Sequence, residues 1–302
     1  MSKTGVAVLG LGMMGGGMAG RLLSQGFAVT VFNRNPDRAW ALVDRGAVFA
    51  KSSQEAAMRS EIIISMVSDD AASRQVWLGE RGALADAKSG ALLIESSTLT
   101  VGWIKELATA AAARGCEFLD APVTGSKPHA ESGELLFLVG GSARAFESAK
   151  DIFAVLGRGA VHLGATGSGA LLKLINNFLA AVQAASFSEA LALIDAGGLD
   201  REKAMSILTE GVPGSPMVKR VATRVASDDF TPHFLMRLMA KDVGYALQEA
   251  KERGIHLQTA ATALAQFKQA ILDGHGEEDF TAVARWLTSH IASGAKNSRS
   301  GE

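Results

Sequence analysis

The rhythm of apolar positions changes once along the chain, near residue 165. Before that point short apolar runs, several rich in β-branched residues, recur at 6–9, 28–32, 61–67, 91–95, 116–119, 135–139 and 158–163. Runs this short, bounded by glycine, proline and small polar residues, predict buried strands, and residues 13–25 after the first run predict a helix. Strands alternating with helices build a mostly parallel sheet covered on both faces. After residue 165 the strand rhythm stops. Residues 171–187 read LLKLINNFLAAVQAASF, with Gly167 and Gly169 just before and Gly197 and Gly198 closing the pattern. This predicts one helix over 170–196, roughly 40 Å long at about 1.5 Å per residue. Apolar residues lie on almost every side of it, so it is expected to be buried. Downstream only helical patterns follow, at 237–251, 259–272 and 280–290, broken near GVPGSP and DDFTPH. In the first of these Leu238, Met239, Val243, Ala246 and Leu247 share one face. The predicted architecture is an α/β domain over 1–164 and an all-α domain over 165–294, joined by the long helix. A polar, disordered tail is expected from Ser293, set apart as residues 295–302.

The first strand leads into GLGMMG, in which Gly10, Gly12 and Gly15 form G-x-G-x-x-G. Lying between a strand and a helix inside a βαβ unit, this pattern is the dinucleotide-binding signature. Its glycines allow a tight turn and a close backbone approach, and the helix N-terminus offers free N–H groups to a pyrophosphate. Leu11, Met13 and Met14 complete the candidate loop. At the end of the second strand, an acidic residue would select the ribose 2′-hydroxyl of NAD. This chain has Asn33 followed by Arg34. A neutral residue beside a guanidinium suits a 2′-phosphate and favours NADP, with NAD the alternative. Ligands of open parallel sheets sit beyond the C-terminal strand ends, which brings Met66, Val67 and the segment from Ser96 to Thr98 near the cofactor. Thr98 also suits a helix cap.

The polar loop 124–133 between two apolar runs is a further candidate. Thr124, Gly125 and Ser126 offer hydroxyl and N–H groups suited to a carboxylate. Lys127, if turned inward, would add a cation. On the long helix, Lys173 and Asn177 stand at i and i+4 and share one face, with Asn176 beside them. A lysine on so apolar a helix either snorkels to solvent or has a task.

Composition narrows the picture. The 302 residues suggest two domains, and a net charge of −1 gives no reason to expect nucleic acid or an anionic membrane as partner. No uninterrupted apolar run reaches the length of a bilayer span. An apolar strand run begins at residue 6, so no targeting segment is expected, and the single cysteine, Cys116, fits a reducing compartment; a cytoplasmic location is expected. One cysteine and six scattered histidines give no zinc-ligand spacing, so no metal is expected. The only tyrosine, Tyr245, is followed by lysine six positions later rather than four, which excludes the Tyr-x-x-x-Lys pair of short-chain dehydrogenases.

Four motifs in order, GLGMMG, DAPVTGSKPHAESG, GSGALLKLINN and MAKDVGYAL, resemble the β-hydroxyacid dehydrogenase family, relatives of 6-phosphogluconate dehydrogenase. They span roughly residues 5–250. The resemblance implies a Rossmann-type N-terminal domain and a helical C-terminal domain hinged on the long helix. It implies that Lys173 is the catalytic residue with Asn177 beside it, and that Thr124 and Gly125 bind the substrate carboxylate. It also implies that Phe234, Lys241 and Asp242 lie where the second domain closes over nicotinamide and substrate. The family usually has serine at the position of Thr124, so the pocket here carries an extra methyl.

The expected activity is NADP(H)-dependent interconversion of a small semialdehyde or oxo acid and its hydroxy acid. Members acting on 3-hydroxyisobutyrate or tartronate semialdehyde tend to carry paired glycines after the serine. The segment TGSKPHAESG instead resembles glyoxylate and succinic semialdehyde reductases. Imine reduction is an alternative, against which Lys173 speaks; a nucleotide-binding scaffold without turnover is another. The apolar long helix suggests a homodimer or homotetramer.

Overall fold

The computed structural model of the protein describes residues 4–288. The expected tail, and the end of the helix expected over 280–290, lie outside the described residues. Among these, nine strands form one sheet: β1 (Gly5–Leu9), β2 (Ala28–Phe32), β3 (Val48–Phe49), β4 (Ile62–Ser65), β5 (Leu92–Glu95), β6 (Glu117–Asp120), β7 (Val123–Thr124), β8 (Leu135–Gly141) and β9 (Gly157–Gly164). Their order is β3-β2-β1-β4-β5-β6-β8-β7, with β9 also paired to β8. The strands from β1 to β6 run parallel, and β8 is antiparallel to β6 and β7. The chain leaves β1 toward β2 on one side and returns to β4 on the other, so the strand order switches at β1, where such sheets bind ligands.

The strand period of two divides β1 between two cores. Val6 and Val8 pack with Met18 and Leu22, while Ala7 and Leu9 pack with Trp77, Leu93 and Leu107. All four β1 residues are fully buried, which explains a continuous apolar run instead of an alternating one.

The strands follow the sequence pattern with informative exceptions. The run 61–67 gives a strand only to Ser65, because the Val67 N–H leaves the ladder and donates to Ser97 Oγ at 2.7 Å. The polar loop 124–133 holds a short strand, β7, and a short helix, Lys127–Ser132, opened by Pro128 near its start and closed by Gly133 with φ 78°. Two-residue β3 had no pattern of its own; it is held by pairing with Thr30 and Val31 of β2.

The chain divides into two compact units, Met1–Lys173 and Leu174–Glu302, and the division falls inside the long helix Ser168–Ala196. The second unit is helical, with helices Arg201–Glu210, Pro216–Ser227, Met236–Glu252 and Gln258–Ala270. Its core gathers Ala181, Ala184 and Leu191 of the long helix with Val221, Met239, Val243, Phe267 and Phe280. Residues 271–275 form a π turn with Gly274 at φ 98°, so the helix expected over 259–272 closes at Ala270.

The long helix is not buried all round, contrary to the expectation from its composition. Leu179 is 48% exposed and Leu193 74%. Apolar residues on every side show that a helix could be enclosed; they do not provide enough partners to enclose it. The helix is also long and apolar enough to cross a membrane by length and composition alone. Its fully buried Ala181, Ala184 and Leu191, packed in a helical core, give it protein neighbours instead.

Candidate active site

The glycine loop sits at the C-terminal end of β1, and each glycine is required for a different reason. A Cβ on Gly10 would stand 2.4 Å from the Met66 carbonyl oxygen, and φ there is +95°. A Cβ on Gly15 would stand 2.0 Å from the Gly10 carbonyl oxygen, so the helix packs against the turn through that bare position. Gly12 differs: its added Cβ would meet only Arg38 Nη1, at 4.0 Å. Two glycines therefore hold the turn closed against its neighbours, and the third keeps its outer surface clear. The helix Met13–Ser24 starts at Gly12 with no side-chain cap and no acidic residue in its first turn. A bare glycine surface beside an uncapped helix N-terminus fits a dinucleotide pyrophosphate.

Asn33 follows β2 and braces this loop. Its Oδ1 accepts the Leu11 N–H at 2.9 Å, and its Nδ2 donates to the Asn35 carbonyl at 2.8 Å. Arg34 is exposed. Arg38, outside the motifs of the sequence, lies beside Gly12 because Asn35 caps the turn Pro36–Arg38. Its signal in the sequence was the Asn-Pro pair that starts that turn.

Met66 and Val67 lie beside Gly10. The loop after β5 is held to them by a buried carboxylate. Glu95 Oε2 accepts from Ser73 Oγ at 2.7 Å and Trp77 Nε1 at 2.8 Å, while Oε1 accepts the Ser97 N–H at 2.9 Å. Trp103 Nε1 in turn donates to Ser73 Oγ at 2.9 Å. Burial raises the Glu95 pKa, against the pull of these hydrogen bonds from Ser97, Ser73 and Trp77. Glu95 thus fixes Ser97, whose hydroxyl fixes Val67. Thr98, next in line, is partly exposed.

At the far side of the sheet β6 ends in Asp120, four residues before Thr124. Its carboxylate is buried and accepts the N–H groups of Gly167 and Ala170 at 2.8 and 2.9 Å. Burial pushes its pKa up to about 6 despite those N–H donors. Thr124 pairs with Leu136 and is partly buried, and Gly125 has φ +125°. Ser126 turns to His129: its N–H donates to Nδ1 at 3.2 Å, and its Oγ lies 3.0 Å from the same atom. Lys127 does not point inward as a free cation. It is about half exposed and pairs with Glu131 at 3.8 Å, one turn along the short helix. Lys173, partly buried, is the last residue of this unit.

In the second unit Asn177, Asp242 and Lys241 come together. Asn177 is 3% exposed and donates through Nδ2 to Asp242 Oδ2 at 2.6 Å. Lys241 Nζ reaches Asp242 Oδ1 at 2.9 Å and lies 4.9 Å from the centre of the Tyr245 ring. Asp242 is 1% exposed, so its carboxylate serves these neighbours. The pair in MAKDVGYAL, adjacent in sequence, works as anchor and anchored group. Phe234 packs edge-on to Phe280 with centroids 5.8 Å apart. Its N–H donates to Asp279 Oδ2 at 3.0 Å, as does that of His233 at 2.9 Å. Burial lowers the His233 pKa, reinforced by Arg224 and Arg220. Asp279, fully buried, organises this segment and carries no motif signal in the sequence. Among the described residues no group of histidine, cysteine and acidic side chains could hold a metal.

Comparison with known proteins finds matches to both parts of the chain. Residues 5–164 match the NAD binding domain of 6-phosphogluconate dehydrogenase. Residues 167–287 match the NAD-binding region of NADP-dependent 3-hydroxyisobutyrate dehydrogenase. The chain is 35% identical over 278 residues to glyoxylate/succinic semialdehyde reductase 1 of Arabidopsis thaliana, covering 92% of this chain and 96% of that one. It is 33% identical over 287 residues to an NAD-dependent L-serine dehydrogenase of Pseudomonas aeruginosa, covering 93% and 96%. The solved structure of Mycobacterium tuberculosis 3-hydroxyisobutyrate dehydrogenase with L-serine superposes with a TM-score of 0.86 at 29% identity, covering 94% and 99%. A glycine cradle suited to a dinucleotide, an α/β unit followed by a helical one, and relatives matched over nearly their whole length lead to one conclusion: the chain belongs to the β-hydroxyacid dehydrogenase family and is an NAD(P)-dependent oxidoreductase acting on CH–OH groups.

Proposed function

We propose that this enzyme uses NADPH to reduce a small oxo acid or semialdehyde, with glyoxylate and succinic semialdehyde the favoured substrates. The observation that carries the reading is that one compact unit, Met1–Lys173, contains the glycine cradle, the Thr124–Gly125 turn and Lys173. The Arabidopsis thaliana relative, named for both substrates, supports the choice between subfamilies, as does the TGSK sequence of the turn. NADPH, when bound, supplies the hydride. The Thr124 hydroxyl and Gly125 N–H hold the substrate carboxylate; Ser126, whose hydroxyl and N–H face His129, orders the turn. Lys173 Nζ gives its proton to the carbonyl oxygen as that oxygen becomes a hydroxyl, a contribution of about 10²–10⁴-fold in rate. In the reverse direction the lysine must be neutral to accept the proton. Asn177 stands one turn further on the same helix. Because Lys127 is paired with Glu131, selection of a carboxylate rests on the turn and not on that cation.

The preference for NADPH rests on Asn33, Arg34 and Arg38. No carboxylate follows β2 at position 33, and two guanidinium groups lie on the loop that does. Arg34→Asp is expected to raise the KM for NADPH far more than that for NADH. A second reading, NAD-dependent oxidation of a 3-hydroxy acid or L-serine, draws support from the L-serine dehydrogenase and from the 3-hydroxyisobutyrate dehydrogenase solved with L-serine. Initial rates at one pH, with both cofactors, decide between them. Reduction of glyoxylate and succinic semialdehyde should exceed, in kcat/KM, oxidation of 3-hydroxyisobutyrate or L-serine and reduction of tartronate semialdehyde. A clear preference for any of the latter overturns the substrate assignment, and a wild-type preference for NADH overturns the cofactor assignment. A homodimer or homotetramer in the cytoplasm completes the proposal. Its support is the exposure of Leu193 and Ile207, at 74% and 72%, and a single buried cysteine.

A further inference from the structure

Asp120 is fully buried and touches neither glycine loop nor Thr124 side chain in any hydrogen bond it makes. Its two oxygens accept N–H groups at the start of the long helix, Gly167 just ahead of it and Ala170 in its first turn. Helix starts leave such donors without intrahelical partners, and a neighbouring side chain usually caps them. Here the acceptor comes from 47 and 50 residues upstream, at the end of β6. The surroundings are shaped for this contact. A Cβ on Gly169 would stand 2.2 Å from the Leu138 carbonyl oxygen and 2.9 Å from that of Asp120. A Cβ on Gly140 would stand 2.5 Å from Asp120 Oδ1. The helix start is thus pressed onto β6 and β8 backbone at a bare position. A second bare position, on β8, makes room for the carboxylate. Leu138 also donates its N–H to Pro122 at 2.8 Å, which ties β8 to the segment leading into Thr124.

We propose that Asp120 is a positioning residue: by clamping the first turn of the long helix to the end of β6, it sets where Lys173 stands relative to the Thr124–Gly125 turn. This rests on the role of Lys173 proposed above. Lys173 follows Ala170 by three residues, about 4.5 Å of helix, so the lysine goes where the first turn goes. On the other side only Ala121, Pro122 and Val123 separate Asp120 from Thr124. One carboxylate therefore references both groups to the same strand end. Misplacement by about 1 Å is enough to cost about 10²-fold in rate. The cofactor cradle lies at β1, separated from β6 by β4 and β5, and should not sense the change.

The test is a double-mutant cycle of Asp120→Asn with Lys173→Ala, reading kcat, KM and NADPH affinity by fluorescence titration. Asparagine keeps the shape of the aspartate but turns an N–H donor toward one of the two helix N–H groups. Asp120→Asn alone should lower kcat by about 10-fold or more with NADPH affinity unchanged. In the Lys173→Ala background it should lower kcat no further, a coupling that general loss of structure does not produce. Asp120→Ser, smaller and able to accept one N–H, serves in the same cycle if the asparagine variant does not fold. Normal turnover in the single Asp120 variant, or equal slowing in both backgrounds, overturns the proposal. Normal turnover in Lys173→Ala instead overturns the lysine's role, and so separates the two failures.

Discussion

In the α/β unit the candidate nucleotide-binding groups are mostly main chain: the N–H groups after Gly12, the bare faces of the glycines, and the loop ends at Val67 and Ser97. They are held by strand ladders and by buried acceptors that each take several donors; Glu95 alone receives Ser73, Trp77 and Ser97. In the helical unit the candidate groups are side chains, and a single carboxylate, Asp242, holds both Asn177 and Lys241. The contrast follows from secondary structure. A parallel sheet delivers backbone to its C-terminal edge with a register fixed by many hydrogen bonds. Away from its ends a helix consumes its own backbone groups and leaves side chains to build with. The first arrangement is sensitive to added volume, the second to removal of one charge.

Lys173, at the junction of the two units, should show the largest effect. Lys173→Ala is expected to lower turnover by about 10²-fold or more with NADPH affinity largely intact, since the cradle is built elsewhere. Near-normal turnover in a folded variant would remove the general acid from the mechanism. The sensitivity to volume is sharpest among the glycines. Gly15→Ala should cost about 3 kcal/mol of stability, because backbone and not a flexible side chain stands in the way. Gly12→Ala should leave Tm near that of the wild type and weaken NADPH binding, seen by titration. Equal destabilisation by both substitutions would contradict the division of roles.

The sensitivity to charge is expected at Asp242. Asp242→Ala strips Asn177 of its acceptor and Lys241 of its counter-charge, and should cost about 2 kcal/mol in thermal or urea unfolding. Lys241→Met, which removes the partly exposed partner, should cost less. The reverse order would show that the lysine, not the carboxylate, is the hub. The smallest effect concerns pH. Asp120, raised by burial from 3.8 to about 6, binds its proton more tightly in the folded state than in the unfolded chain. Its contribution to stability is therefore most favourable below about pH 4 and declines as pH rises through 6. Tm of the wild type relative to Asp120→Asn should fall by a few degrees across that window and stay level above it. A relative rise with pH would mean that the helix-end N–H groups outweigh burial.

The sequence by itself determined the alternating strands, the glycine loop, the long helix and the helical second half, because each depends on local periodicity or on glycine chemistry. It also offered Lys173, Asn177 and the Thr124 turn as candidates, through motif order. Tertiary structure decided what no local pattern encodes. Arg38 stands beside Gly12 only because a capped turn folds back there. Lys127 spends its charge on Glu131 because a short helix, hidden in a polar loop, brings them one turn apart. The long helix keeps an exposed apolar side because enclosure depends on neighbours, which composition does not count. Glu95, Asp120 and Asp279 look in the sequence like ordinary surface acids or strand ends. Each proves to be a buried acceptor for groups 2 to 59 residues away. Burial and long-range hydrogen bonding are properties of the assembled chain, and they separate a carboxylate that organises a site from one that merely solvates a surface.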